Sequence, residues 1–441
     1  MLFEKLNNNN KIPFHMPGHK RNTKLLGVNL PYEIDITEID GFDNLHNPSG
    51  VIKDIEYKFK SIYNCRESFI LINGSTCGII SAIFTVVEEG DKVLVARNCH
   101  KSVYNGIQLA KAEAVYLQPE YDEYGIAGKI SADDVRVAVE RDDIKLVIIT
   151  SPTYEGVVSD VDDICDIAHS KGIPVLLDSA HGAHYFEESR ADIVVMSLHK
   201  TLPALTQCAI ANINGNIVDG QKFRISLSIF ETSSPSYILM SSIDRCADFI
   251  LQNSAMFEQH NLDLDKFFNQ LNKLQHLKII KYDDLNKIII FTGYSSISAC
   301  KLSEMLRNTY NIEVEMVSRE YILAMSSVCD TYENLDTLAK ALIEIDSELE
   351  YSSFTPLFLR KLPMLCYPSH KVKKGRLIDI RNAVNEISAE YIWSYPPGIP
   401  LLVPGEVIND EIIDYIINYN NNQIDVHSTY GMLPEKIYCA K

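Results

Sequence analysis

Apolar and polar residues alternate along the first half of the chain with two different periods. Short apolar runs predict strands at residues 69–72, 92–96, 114–117, 145–150, 174–178 and 192–197. Between them, apolar residues recur at helical spacing and predict helices that include 76–87, 101–110, 132–140 and 160–171. Strands that alternate with helices are typical of an α/β domain with a mostly parallel sheet. In such a sheet, ligands bind at the carboxyl ends of the strands.

The pattern changes in the second half of the chain. A long helix is predicted over 233–252, with Pro235 in its first turn, where proline is tolerated. From about residue 262 the order becomes helix, two strands (277–281 and 287–291), helix (296–308), two strands and a helix (335–348). We therefore expect an amino-terminal segment over 1–50, a large domain over 51–258 and a smaller α+β domain over 259–441.

Composition narrows the classes of partner. The chain has 441 residues, and its 41 basic and 59 acidic residues give a net charge of −18. This acidity argues against a nucleic-acid partner, which requires basic surfaces, and suits a cationic small molecule. Ten cysteines without a CxxC pair or metal-ligand spacing predict reduced thiols in the cytoplasm and no metal site. The apolar runs are too short to span a bilayer, so no membrane partner is expected.

A lysine follows directly after a predicted strand, in Ser197-Leu198-His199-Lys200. An amine at the end of a buried strand loses hydration, which lowers its pKa and makes it nucleophilic. A lysine that carries pyridoxal phosphate as a Schiff base needs this property. The segment alone is weak evidence, because most lysines are solvated surface residues.

A second segment has the features of a phosphate site. Gly74-Ser75-Thr76 follows a predicted strand and opens a predicted helix, where free N–H groups and hydroxyls suit a phosphate dianion. Ser197 and His199 could reach the same phosphate from the lysine segment. The alternative is an ordinary helix cap, for which Ser and Thr are common residues.

Two further strand ends carry polar residues that suit the ring of such a cofactor. Asp178 ends an apolar strand and could keep a pyridine nitrogen protonated, so that the ring withdraws electrons; the alternative is a carboxylate that caps a turn. His100 could stack on the ring or donate a proton, or be an exposed residue near a helix start. His181 could hold the phenolic oxygen of the cofactor or orient Asp178.

These motifs, in this order, resemble the Orn/Lys/Arg decarboxylase family, the group III pyridoxal-phosphate decarboxylases of fold type I. The resemblance covers nearly the whole chain and looks like the short form without the amino-terminal wing domain. The segments that carry it are 13–21, 35–50, 74–76, His100, 178–182, 197–200, 232–237, 395–400 and 404–406.

The resemblance implies a fold like that of aspartate aminotransferase and pyridoxal 5'-phosphate as cofactor. It assigns catalytic roles to Lys200, His100 and Asp178, and it implies that Glu406 pairs with the cationic group of a substrate. For Glu406, the alternative is a solvated glutamate in a turn. The cofactor-binding residues that it implies are Ser75, Thr76, His100, Asp178, Ser197, His199 and Lys200, to which we add His181.

The implied reaction is α-decarboxylation of a basic L-amino acid, with arginine favoured over lysine and ornithine. The implied assembly is a homodimer or a higher homo-oligomer, in which 232–237 reaches the neighbouring site. An aminotransferase of the same fold is the alternative activity, and it would need a guanidinium clamp for the α-carboxylate, from Arg360, Arg376 or Arg381. A non-catalytic paralogue that binds the cofactor is a third interpretation.

Overall fold

The computed structural model describes residues 12–14, 42–355, 362–422 and 424–441. Residues 15–21 and 35–41, which belong to two of the family-like segments, lie outside the described residues, as does Arg360. Within the described ranges, we find no helix long and apolar enough to cross a membrane.

A seven-stranded sheet forms the centre of the large domain, in the order β2-β8-β7-β6-β5-β3-β4. Six strands run in one direction, and β8 is antiparallel to both of its neighbours. The prediction of a mostly parallel sheet is confirmed, although β8 was not predicted. The strands are β2 (Glu67–Leu71), β3 (Lys92–Ala96), β4 (Glu113–Leu117), β5 (Ile144–Thr150), β6 (Val175–Asp178), β7 (Ile193–Met196) and β8 (Ala209–Ile213).

Helices cover this sheet and share its hydrophobic core. Helix α2 packs closely on the sheet because residue 78 is glycine: a Cβ there would lie 2.6 Å from Leu71 Cδ1 and 2.9 Å from Val195 Cγ1. The helices are α1 (Val51–Ile62), α2 (Gly74–Val86), α3 (Lys101–Ala110), α4 (Ala132–Arg141), α5 (Val161–His169), α6 (Leu198–Thr201), α7 (Gly220–Phe230) and α8 (Tyr237–Gln252).

Helix α8 begins later than predicted. Its first residue is Tyr237, and the Ser236 hydroxyl accepts a hydrogen bond from the Leu239 N–H at 3.4 Å. Pro235 therefore precedes the helix and does not lie in its first turn. The serine cap, rather than the proline, sets the start.

A second, four-stranded antiparallel sheet follows in the order β12-β13-β10-β9 and has its own hydrophobic cluster. The predicted boundary at 258/259 falls inside α9, which is continuous. Strand β1 pairs in parallel with β11 and forms a separate two-stranded sheet beside this one. The elements are β1 (Ile12–Phe14), α9 (Ser254–Leu271), β9 (Lys278–Ile280), β10 (Lys287–Phe291), α10 (Ala299–Asn308), β11 (Ile312–Val314), β12 (Met316–Val317), β13 (Tyr321–Met325) and α11 (Tyr332–Asp346).

The residues after 362 form a further hydrophobic cluster, built around α12 and two small sheets. The region predicted as one domain over 259–441 thus contains more than one such cluster. Tyr391 and Val403 belong instead to the core of the large domain, which ties the last part of the chain to it. The elements are β14 (Lys374–Asp379), β15 (Ile392–Ser394), β16 (Pro400–Leu402), α12 (Asp410–Asn421), β17 (Val426–Ser428) and β18 (Lys436–Ala440).

Candidate active site

A cavity of about 330 Å³ lies at the carboxyl ends of β5, β6 and β7. Residues 395–397 and Ile399 form part of its wall, although they follow the central sheet by almost 200 residues. All eight residues predicted to bind the cofactor line this cavity: Ser75, Thr76, His100, Asp178, His181, Ser197, His199 and Lys200.

Hydroxyl and amide groups converge at the start of α2. The Ser197 hydroxyl donates to the Ser75 hydroxyl at 2.9 Å. Gly74 has a φ of +75°, a value that favours glycine, and begins the helix. The N-cap is Asn73 and makes no side-chain cap bond, so the hydroxyls of Ser75 and Thr76 are not used as helix caps. This arrangement suits an anion such as a phosphate.

His199 is oriented toward the same end of the cavity by the backbone. Its Nδ1 lies 3.1 Å from the Cys208 carbonyl oxygen, which can only accept a hydrogen bond. Nδ1 therefore carries a proton.

Asp178 is a buried carboxylate at the end of β6, with 3% of its surface exposed. Its Oδ1 accepts a hydrogen bond from the Ala180 N–H at 3.2 Å. Burial raises the pKa of Asp178, and the nearby Lys200 amine opposes this shift. A buried carboxylate with few donors of its own is stabilised by a cationic ligand, as a protonated ring nitrogen would be.

Lys200 follows β7 in the short helix α6, and its Nζ lies 2.9 Å from His181 Nε2. Burial lowers the pKa of Lys200, as predicted from its place after a buried strand, while Asp178 and Glu315 act in the opposite direction. A lysine with a lowered pKa has more of the neutral amine that can react with a carbonyl group.

His100 is both a helix cap and part of the cavity wall. Its Nδ1 accepts from the Ser102 N–H at 3.1 Å and lies 2.8 Å from the Ser102 hydroxyl. Burial, with a contribution from Lys200, lowers the pKa of His100 to about 4. The ring is therefore neutral near pH 7, and its Nε2 faces Gly398, where a Cβ would lie 3.1 Å away.

The expected role of Glu406 requires correction. Its side chain is 0% exposed and does not line the cavity. Arg97 donates to both of its oxygens at 3.1 Å, and the Val403 N–H donates to Oε2 at 2.7 Å. A carboxylate with these partners is not available to a substrate cation, and it is also not a solvated turn residue.

Several cavity residues were not predicted. Glu155 is 8% exposed and accepts from the Tyr321 hydroxyl at 3.0 Å. Glu315 accepts from the Tyr154 hydroxyl. The position of Glu155 just after β5 was a signal that could have identified it, because the other site residues also follow strands. Glu315 lies between β11 and β12, and no local pattern in the sequence points to it.

These groups fit pyridoxal phosphate. Hydroxyls and helix amides can hold its phosphate, Asp178 can face its ring nitrogen, and the amine of Lys200 can reach its aldehyde carbon from the same cavity. Among the residues that the structure describes, no cluster of side chains suited to a metal ion is present. The fold and the site thus define a pyridoxal-phosphate-dependent enzyme of fold type I.

Comparison with known proteins identifies the family. The profile described as "Orn/Lys/Arg decarboxylase, major domain" matches residues 1–292, and the profile for the C-terminal domain matches residues 357–424. The chain therefore belongs to the Orn/Lys/Arg decarboxylase family and is a decarboxylase.

Individual relatives agree with this assignment. The arginine decarboxylase of Bacillus subtilis is 30% identical over 92% of this chain and 90% of its own length, and that of Bacillus anthracis is 31% identical over 92% and 90%. The structure of the constitutive lysine decarboxylase of E. coli matches 100% of this chain and 81% of its own, with a TM-score of 0.76 and 18% identity.

The alternative of an aminotransferase receives no support beyond the fold. A structure of alanine–glyoxylate aminotransferase from Nostoc sp. matches 75% of this chain and 92% of its own, with a TM-score of 0.59 and 12% identity, which concerns the fold alone. Arg376 and Arg381, two candidates for the guanidinium clamp, are exposed and do not line the cavity.

Proposed function

We propose that this enzyme removes the α-carboxylate of L-arginine as CO2 and yields a polyamine-type amine. L-lysine and L-ornithine are the other candidate substrates. The arginine decarboxylases of Bacillus species, at 30–31% identity, support arginine over the inducible lysine decarboxylase of E. coli, at 20%. The observation that carries the basic substrate class is a buried carboxylate, Glu155, in the wall of the cavity that holds Lys200.

When bound, pyridoxal phosphate withdraws electrons from the α-carbon of an amino acid, which allows CO2 to leave. Each residue has a separate task in the proposed mechanism. Lys200 would hold the cofactor through its amine, Asp178 would hold a proton at the ring nitrogen, and His100 would pack against the ring. Lys200 and His100 are the candidates for returning a proton to the α-carbon, and the lowered pKa of His100, which leaves its ring neutral near pH 7, favours Lys200. Ser75, Thr76, Ser197 and His199 would hold the phosphate.

The cavity wall favours loss of a charged carboxylate. Tyr154, two prolines at 396–397 and Ile399 line the cavity and limit its contact with water. A carboxylate in such surroundings is poorly solvated, and its charge disappears when CO2 leaves. Removal of that charge is therefore easier than it would be in bulk water.

Glu155 is the proposed partner of the distal cationic group. Burial raises the pKa of Glu155, and the hydrogen bond from Tyr321 opposes this shift. A guanidinium or ammonium group of the substrate would stabilise the ionised carboxylate, because opposite charges interact strongly in a buried site. In this proposal, Glu155 takes the role that the family resemblance implied for Glu406.

We also propose a cytoplasmic homodimer or higher homo-oligomer. The ten cysteines are free thiols, which suits a reducing compartment. Ile225 and Ile229, one turn apart on α7, are 59% and 67% exposed, and an apolar patch of this kind suits burial against a second copy. Light scattering of the purified protein would give the number of subunits, and a monomer would contradict this assembly.

The experiment that tests the function is release of CO2 by the purified enzyme loaded with pyridoxal phosphate. L-arginine, L-lysine and L-ornithine are supplied in parallel, and we expect the highest kcat/KM with L-arginine. Preferential release from another of the three would correct the substrate. Transfer of the amino group to a keto acid without CO2 would contradict decarboxylation.

A further inference from the structure

A buried lysine from the second sheet contacts the histidine beside Lys200. Lys287 is the first residue of β10 and is 1% exposed. Its Nζ lies 3.2 Å from His181 Nδ1, and the other ring nitrogen, Nε2, lies 2.9 Å from Lys200 Nζ. The imidazole of His181 therefore lies between two amines, one from each sheet region.

The surroundings of Lys287 favour its charged form. Asp284 Oδ2 lies 3.9 Å from Lys287 Nζ, and Asp284 Oδ1 lies 3.2 Å from His184 Nε2. Burial alone would raise the pKa of Asp284, but His184 and Lys287 bring it below its usual value. Asp284 is thus ionised and can balance a buried ammonium group, which would otherwise be costly.

The backbone also provides space for this lysine. Gly156 has a φ of +98°, and a Cβ there would lie 2.9 Å from Lys287 Cγ and 3.0 Å from the Asp284 carbonyl oxygen. The Gly156 carbonyl accepts from the Asp284 N–H at 2.9 Å. The loop after β5 therefore holds the Lys287 side chain close to the cavity.

Charge determines the direction of these hydrogen bonds. An ammonium group has three donors and no acceptor, so Lys287 donates to His181 Nδ1, which must be unprotonated. Burial, with a contribution from Lys200, holds the pKa of His181 well below its ordinary value, so the ring is neutral. Its proton is then on Nε2, and Nε2–H is directed at Lys200 Nζ, 2.9 Å away, which can accept it when the lysine is a free amine.

We propose that Lys287 is a positioning residue that fixes His181 as the Nε2–H tautomer and so keeps a hydrogen-bond donor directed at Lys200 and its cofactor. The inference rests on the cofactor site of the proposed function and does not depend on which amino acid is the substrate. Charged and titratable groups surround this contact on every side. They are His100, His199 and Tyr154 near His181, Asp178 and Glu315 near Lys200, and Asp284, with its partner His184, and Glu155 near Lys287.

The first test observes the tautomer in the unmodified protein. The cofactor-free enzyme is labelled with 15N-histidine, and the two-bond 1H–15N correlation of His181 is assigned by its loss in His181→Gln. We expect the pattern of a neutral ring protonated on Nε2. The pattern of the Nδ1–H tautomer, or of a doubly protonated ring, would overturn the proposal.

The second test separates the donor of Lys287 from its charge. Lys287→Met removes both, whereas Lys287→Gln keeps an N–H donor without the charge. The readout is the pH midpoint at which Lys200 reacts with an amine reagent, measured on its peptide by mass spectrometry. We expect the midpoint to rise by about one unit in Lys287→Met, because His181 can then accept from a protonated Lys200, and to stay near the native value in Lys287→Gln.

A double-mutant comparison shows whether the effect passes through His181. In a His181→Gln background, Lys287→Met should cause no further shift of the Lys200 midpoint. Equal shifts in Lys287→Gln and Lys287→Met, or an undiminished shift in the His181→Gln background, would show an effect of charge alone and overturn the proposal. None of these measurements uses a substrate, so failure of the enzyme to release CO2 would contradict the proposed function and leave this inference intact.

Discussion

Two buried carboxylates in this molecule, Glu406 and Asp178, have opposite surroundings. Glu406 receives hydrogen bonds from Arg97 and from the backbone of Val403, so the protein itself balances its charge. Asp178 faces a cavity, and its Oδ1 accepts from the Ala180 N–H. Burial alone therefore does not identify a functional carboxylate. A carboxylate that the fold leaves with few partners is the one that indicates a ligand.

Asp178→Asn should produce the largest effect on turnover. The variant loses the charge that holds a proton at the ring nitrogen, so kcat of the loaded enzyme should fall by roughly 10³-fold, about 4 kcal/mol in transition-state stabilisation. The thermal midpoint of the cofactor-free protein should stay equal or rise, because burial of this carboxylate is unfavourable. CO2 release and thermal unfolding measure the two effects.

Asp192→Asn is the matched control for that prediction. Asp192 is 1% exposed, but it accepts hydrogen bonds from the Val175 N–H and from His169, each at 2.8 Å, and it does not line the cavity. This variant should lose stability and keep its kcat per folded molecule. Equal kinetic losses in the two variants would argue against the special role of Asp178.

Glu406→Gln should mainly lower stability. Removal of one charge leaves Arg97 buried without its ionic partner, a situation that typically costs about 3–5 kcal/mol. Urea unfolding measures the loss, and the exposed pair Arg376–Glu386 provides the comparison, because Glu386→Gln should cost less than about 1 kcal/mol. A large rise in KM for L-arginine with unchanged stability would restore Glu406 as a substrate residue.

His100 should make stability depend on pH. The unfolded protein takes up a proton at this residue below about pH 6.5, whereas the folded protein does so only near pH 4. Stability is therefore lost as the pH falls through this window, and the contribution is about 2 kcal/mol at pH 5. His100→Phe should remove this part of the loss between pH 7 and pH 5, as measured by urea unfolding. An unchanged pH dependence in His100→Phe would contradict the lowered pKa.

Glu155→Gln should give the smallest effect and should depend on the substrate. Loss of its charge should raise KM for L-arginine by roughly tenfold, about 1.4 kcal/mol, with a smaller change in kcat. L-citrulline, an uncharged analogue of arginine, is the control, because its binding should change little. An equal effect on both compounds would indicate that Glu155 shapes the cavity without pairing with a cation.

Local patterns in the sequence predicted the elements that carry the site. Strand β3 and helix α3 have the predicted bounds, 92–96 and 101–110, because their periodicities are regular. Strand β8 was not predicted, although its alanines and isoleucines are fully buried. It runs antiparallel to both of its neighbours, and its own residues do not indicate the direction in which a strand runs.

The partners of charged residues were beyond prediction. Glu406 and Arg97 are 309 positions apart in the chain. The local sequence around a glutamate that follows Pro404-Gly405 does not distinguish a solvated side chain from one in a buried ion pair. The contact of Lys287 could not be predicted either. Lys287 is the first residue of a short strand, and the packing of two sheet regions brings it to His181. Such contacts depend on the whole fold, whereas the phosphate and ring residues follow strands of one sheet.

The wall formed by residues 395–399 has a consequence for biosynthesis. The ribosome produces the whole central sheet, and with it Lys200 and Asp178, well before these residues leave the exit tunnel. The cofactor cavity of a nascent chain therefore stays open on one side until these residues have been made. Closure of the cavity on this side thus requires nearly the entire polypeptide.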